Sequence, residues 1–119
     1  MPEIASRSRT QPPPAHVVFQ ALIQPDRDPT RPWLVLRGNE QRPIIVDATE
    51  PNQVVWGSLW PERPDARIKF DITGPPRGGA TLRWTLVVND PIPDGATVIR
   101  MRKRINELIN ANLRFTFGQ

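Results

Sequence analysis

The residues that could do chemistry are few. There is one histidine, there is no cysteine, and the carboxylates stand singly. His16 lies between Ala15 and Val17. A catalytic or metal-bound imidazole needs partners, and none is close in sequence, so His16 reads as a partly exposed helix residue. Without cysteine there is no thiolate metal site, no disulfide and no cysteine nucleophile. One histidine and scattered carboxylates make no metal cluster. Asp47, Glu50, Asp65 and Asp71 fall on the outer faces of strands or in turns. Acid/base work by a carboxylate pair needs two such groups held in different environments, and these four read as solvated charges instead. The stretch GPPRGGA, residues 74 to 80, has the glycines of a phosphate loop. It lacks the Gly-Lys-Ser/Thr ending and opens no helix, so it reads as a hairpin turn. No catalytic residue, metal or cofactor is therefore assigned, and the balance leans away from an enzyme.

Four tryptophans remain, Trp33, Trp56, Trp60 and Trp84, in a chain with no tyrosine. Trp84 alternates with leucines and belongs with a core. Trp33 and Trp60 sit among prolines and arginines, where an apolar body with an N–H donor suits the mouth of a pocket for a flat or greasy molecule. Met101 and Ile105, on the last helix, would face the same space. Asn112 lies on the same apolar stripe, where its amide would orient a ligand or bond backbone near the helix end. The run RMRKR, residues 100 to 104, places its charges around the polar side of that helix, a solvated face or a surface for an anionic partner. No stacking aromatics lie beside it, which argues against nucleic acid.

The elements that would position these groups follow from period and punctuation. At 119 residues the chain is one domain, 1–119. Its charge of +4 is a mild basic bias. The start, MPEIASRSRT, has no apolar core of a signal peptide, and no apolar run would span a bilayer. The lack of cysteine fits a reducing cytosol, so a cytoplasmic protein is expected. The 15 prolines fall between apolar segments and punctuate short elements. Ile4 to Thr10 reads as an edge strand. Residues 13–23 read as a short helix whose first turn is fixed by proline and which Pro25 stops. Its apolar arc is Val17, Val18, Ala21 and Leu22, widened by Phe19 and Ile23. The segment from Trp33 to Leu36 is a helical turn or a strand end. Residues 42–49 and 52–60 flank a turn at Glu50-Pro51, and 66–73 and 80–88 alternate cleanly. Ile68, Phe70 and Ile72 share one face; Leu82, Trp84, Leu86 and Val88 share another. One apolar face per strand means an antiparallel sheet packed on one side. Asp94 caps a long last helix with Val98, Met101, Ile105, Leu108, Ile109 and Asn112 on one stripe, while Arg100, Arg102, Lys103, Arg104 and Glu107 lie mostly off it. The fold class is α+β: a curved antiparallel sheet gripping a long C-terminal helix, with any gap between them a pocket.

These segments resemble the START-like, or SRPBCC, superfamily, which contains polyketide cyclases, plant pollen-allergen ligand binders and the ATPase-activator domains of heat-shock co-chaperones. PPPAHVVFQALIQP is similar to its first helix, Ile45–Trp56 to its strand–turn–strand, and RIKFDITGPPRGGATLRWTL to its paired strands. The terminal helix completes the likeness, which covers nearly the whole chain in a compact version, shortened between the first helix and Ile44. The resemblance implies a helix-grip fold, found in bacteria among others. It implies non-catalytic binding of a small hydrophobic or aromatic molecule in a pocket lined by Trp33, Trp56, Trp60, Phe70, Trp84, Met101, Ile105 and Asn112. It leaves two alternatives: a cyclase- or aromatase-like enzyme with an acid/base inside that pocket, and a protein-interaction domain working through its arginine-rich surface. Short edge strands can pair with a copy of themselves, so monomer and homodimer both fit.

Overall fold

Period-two alternation becomes a five-stranded antiparallel sheet in the order β1-β5-β4-β3-β2. The computed structural model describes residues 2–74 and 78–117. The strands are β1 (Glu3–Gln11), β2 (Ile45–Thr49), β3 (Gln53–Trp56), β4 (Arg67–Thr73) and β5 (Ala80–Val87). Two helical regions complete the chain, α1 (Ala15–Ile23) and a C-terminal run that begins with α2 (Gly95–Asn106). The register sets Ile68 opposite Leu86, Phe70 opposite Trp84 and Ile72 opposite Leu82. It continues through Val54 opposite Phe70 and Trp56 opposite Ile68. All of these side chains are buried, so the core is the one apolar face of β3, β4 and β5. Burying each aliphatic or aromatic side chain of this size stabilises the fold by roughly 1.5–3 kcal/mol.

The strand expected over 4–10 is β1, and it is an edge of the sheet. The hairpin expected at Glu50-Pro51 joins β2 and β3, with Thr49 opposite Gln53. β3 is shorter than its alternation suggests. It ends at Trp56, and residues 57–60 turn away, held by the Ser58 hydroxyl, which accepts from Trp60 N and donates to Trp60 O. The turn read from GPPRGG joins β4 to β5, and its residues 75–77 lie outside the described residues. Beside them Gly78 adopts φ of 86°, a conformation that favours glycine.

α1 starts two residues later than expected. Pro14 is its N-cap, in extended conformation, and the Pro14 carbonyl accepts from Val17 and Val18. Proline thus sets the entry of the helix from outside it. The buried stripe is Val18, Phe19 and Leu22, while Val17 and Ala21 turn to the side. Trp56 Nε1 donates to Leu22 O at 2.9 Å and fastens α1 to β3. The segment from Trp33 to Leu36 is neither helix nor strand, yet Trp33 and Leu34 are buried.

Asp94 caps α2 as expected, accepting from Thr97 N at 2.8 Å. The run then changes pitch: Glu107–Leu113 is π-helical, and Arg114–Thr116 returns to α. Bonding i→i+5 takes more residues per turn, so the apolar stripe shifts along the sequence. Met101, Ile105, Leu108 and Ile109 are buried as expected, joined by Asn110 and Leu113. Arg104 is buried too, at 7% of its side-chain surface, which corrects its expected place off the stripe. Positions 101, 104, 105 and 108 lie on one face, and Arg104 occupies the second of them.

Candidate functional site

Four of the five aromatic candidates, all but Trp60, form a row that runs from Trp33 across the sheet face. Trp33 stacks on Trp56 with centroids 6.0 Å apart, and Trp56 meets Phe70 edge-on at 4.8 Å. Trp84 stands opposite Phe70 in the register. Its indole N–H donates to Asn106 Oδ1 at 3.0 Å, and Asn110 Nδ2 donates to the same oxygen at 3.1 Å. Gln11 Nε2 extends this buried amide chain to Asn110 Oδ1 at 3.3 Å, tying β1 to the C-terminal run. Trp56, Phe70, Trp84 and Ile105 fill the space between sheet and helix and are almost wholly buried. Asn112 is half-buried, and its Nδ2 donates to Trp33 O at 3.2 Å. The amide that the π-helical pitch turns inward is Asn110, two residues earlier.

Trp33 is also where the core meets an open cleft of about 440 Å³. One wall is the outer side of α1, with Val17, Gln20 and Ala21; the others are the loop over residues 24–31 and the end of the C-terminal run, with Thr116 and Phe117. Asp28 shapes the loop by accepting from Thr30 N at 3.0 Å and Thr30 Oγ1 at 2.6 Å. Those bonds, the side-chain one first, hold its carboxyl below the ordinary value, against a slight push from burial. Arg31 Nη1 donates to Thr116 O at 3.3 Å and closes one end of the cleft. His16 lies at the rim, exposed. Val17, Ala21 and Phe117 were not expected here. Val17 and Ala21 stand i, i+4 beside the buried Val18 and Leu22, and that second apolar line was the available signal.

Trp60 and Met101 lie at a second cleft, of about 690 Å³, between α2 and the loops around Arg37 and Arg63. Its deep wall is an ion cluster. Arg104 donates to both oxygens of Glu40, from Nε at 2.7 Å and Nη2 at 2.9 Å. It also donates to Glu107 Oε1 and, at 2.5 Å, to Val35 O. Arg37 N donates to Glu40 at 2.8 Å, and the Arg37 guanidinium reaches Glu107 at 3.2 Å. Burial would push the Glu40 carboxyl up, but the bonds from Arg104 and from Arg37 N outweigh it and hold it below its ordinary value. Arg104 is pushed up chiefly by its bonds to Glu40, against burial, with Glu107 adding to the rise. On the far side Arg63 clamps two loops, donating to Pro91 O at 2.6 Å, Asn89 O at 2.7 Å and Asp65 at 2.9 Å. Asn89 N, first, and then Arg63 hold the Asp65 carboxyl below its ordinary value, burial opposing. Among the described residues no group of three histidine or carboxylate side chains is placed to hold a metal ion. No helix among them is long and apolar enough to cross a membrane.

An open five-stranded antiparallel sheet with a short helix after its first strand and a long C-terminal helix over its apolar face defines a helix-grip protein. The fold is the helix-grip fold that the START-like resemblance implies. CalU16 from Micromonospora echinospora shares it with a TM-score of 0.69 at 13% sequence identity, over 95% of this chain and 73% of that one. The Aha1 dimer from Colwellia psychrerythraea shares it with a TM-score of 0.64 at 13% identity, over 93% of this chain and 94% of that one. No protein-family model matches the chain, and no curated protein matches it by sequence.

Proposed function

We propose that this protein is a non-catalytic binding module for a small hydrophobic or aromatic molecule, held in the cleft over Trp33. The observation that carries this is the cleft itself. It is open, about 440 Å³, and walled by Val17, Ala21, Pro25, Trp33 and Phe117 with a few polar groups at its rim. That volume and chemistry suit a ligand that trades water for apolar contact and uses one or two hydrogen bonds for orientation. The aromatic row behind Trp33 gives the ligand a rigid floor, because Trp33 is braced on Trp56 and Trp56 on Phe70. The remaining expected pocket residues support the site from within rather than touch its occupant, except Trp60 and Met101, which face the second cleft.

A protein-interaction role has an observation of its own. β2 is an outer strand of the sheet, and the chain entering it exposes Ile44 at 70%, followed by Ile45 and Val46. An open strand edge with apolar side chains is a template for another chain.

Thermal shift and tryptophan fluorescence against a panel of apolar and aromatic metabolites test the first role. A ligand that binds only the folded state raises the melting temperature. Ala21→Phe fills the cleft from a half-buried helix position. It should abolish the saturable shift while leaving the unliganded melting temperature nearly unchanged. A saturable hit that survives Ala21→Phe would move the ligand elsewhere, and silence across the panel would favour the protein-interaction role.

A further inference from the structure

The second cleft has a different chemistry from the first. Its lining carries Arg37, Arg63, Arg100, Lys103 and Arg104 against Glu40, Glu62 and Glu107, five cations to three carboxylates. Five of these eight charges are already in ion pairs. Arg104 pairs with Glu40 and Glu107, Arg37 with Glu107, and Arg63 with Asp65. Arg100 and Lys103 make no ion pair among the described residues; Arg100 donates only to Thr97 Oγ1, at 3.2 Å. Both line the cleft from α2 together with Met101, and Trp60 lies on the opposite loop. Trp60 and Met101, each 5% exposed, and two cations outside any ion pair thus line one open space of about 690 Å³.

We propose that this cleft is an acceptor site for a small aromatic carboxylate, its ring on Trp60 and Met101 and its carboxylate on Arg100 and Lys103. A planar guanidinium matches a carboxylate with two parallel hydrogen bonds, and a lysine adds a point charge beside it. Indole and thioether surfaces suit the flat apolar body. The ion cluster at the back is satisfied internally, so it offers the ligand a fixed wall and does not compete for its charge. Glu62, across the cleft, selects against a second negative group on the ring. This site is independent of the cleft over Trp33, which has a different lining.

Naphthalene-2-carboxylate and its neutral isostere naphthalene-2-carboxamide are the probes, titrated into the isotopically labelled protein and followed by amide chemical shifts. The carboxylate should perturb residues 60–63 and 97–104 saturably and bind about tenfold or more tighter than the carboxamide, as a charge-assisted pair requires. Arg100→Gln with Lys103→Gln should remove that preference. Both positions are exposed, so the fold should keep its melting temperature. Ala21→Phe, which blocks the other cleft, should leave carboxylate binding unchanged. Equal affinity for the two probes would overturn the proposal. So would shifts confined to α1 and residues 24–33, or a carboxylate preference that survives the double substitution.

Discussion

Arg104 shows how one residue can be misplaced by its type and rightly placed by its position. Its spacing from Met101, Ile105 and Leu108 puts it on the buried stripe, but a charge on a helix reads as solvated unless a partner is known. That partner, Glu40, is 64 residues away in a segment with no periodicity. The pair is buried, 7% and 2% exposed at the side chains. Removing one member strands the other, at a cost of roughly 3–5 kcal/mol, while replacing both with apolar groups is far milder. Arg104→Met should therefore destabilise the protein by about that amount in chemical denaturation, and Arg104→Met with Glu40→Leu should lose less than Arg104→Met alone. A single substitution within about 1 kcal/mol of the parent would mean the pair is solvated after all. The same logic rules out charge reversal at Arg104 as a probe of a docking surface, since it would break the core wall first. Asn112 has a different cause. A uniform 3.6-residue period puts it on the stripe, and only the π-helical segment, which no composition signals, turns Asn110 inward instead.

β3 and β4 were legible because period two is unambiguous once one face is apolar. β4 alternates without a break, and its buried set is the one its sequence announces. The connection over residues 24–41 was not legible, because it buries Trp33 and Leu34 without any regular element to give a period. Half of the first cleft's lining, and Arg37, Asn39 and Glu40 of the second, come from that connection, so the fold could be read further than the site. The glycine just before β5 is a further constraint that pattern alone does not show. A Cβ on Gly79 would meet the Gln11 backbone oxygen at 2.6 Å, where β1 pairs with β5. That contact is backbone and cannot rotate away. Gly79→Ala should push the end of β1 outward, weaken the Gln11–Asn110 bond and cost roughly 1–3 kcal/mol. Hydrogen exchange should show the loss concentrated in β1, and a uniform loss across the sheet, or none, would contradict the close approach.

At the scale of the molecule, the carboxylates hold the irregular segments in place. Asp28 orders the loop of the first cleft, Glu40 anchors the segment after Trp33, Asp65 joins two loops, and Asp94 caps α2. Each has its carboxyl held below the ordinary value by the bonds it accepts, against burial. A group with a lowered folded value binds fewer protons in the native than in the unfolded state. Its contribution is complete above the unfolded value and is lost as pH falls through the folded one. The urea midpoint should thus vary little from these groups between about pH 7 and pH 5, then fall steadily below the ordinary carboxyl range. Glu40→Gln should lower the midpoint at neutral pH and make the acid limb shallower, because one titrating contributor is gone. An acid limb as steep in Glu40→Gln as in the parent would mean that the Arg104 pair does not hold Glu40 ionised. Stability that rose on acidification would reverse the sign for all four groups. Because these anchors shape the clefts more than the sheet, acid should loosen ligand binding before it unfolds the core.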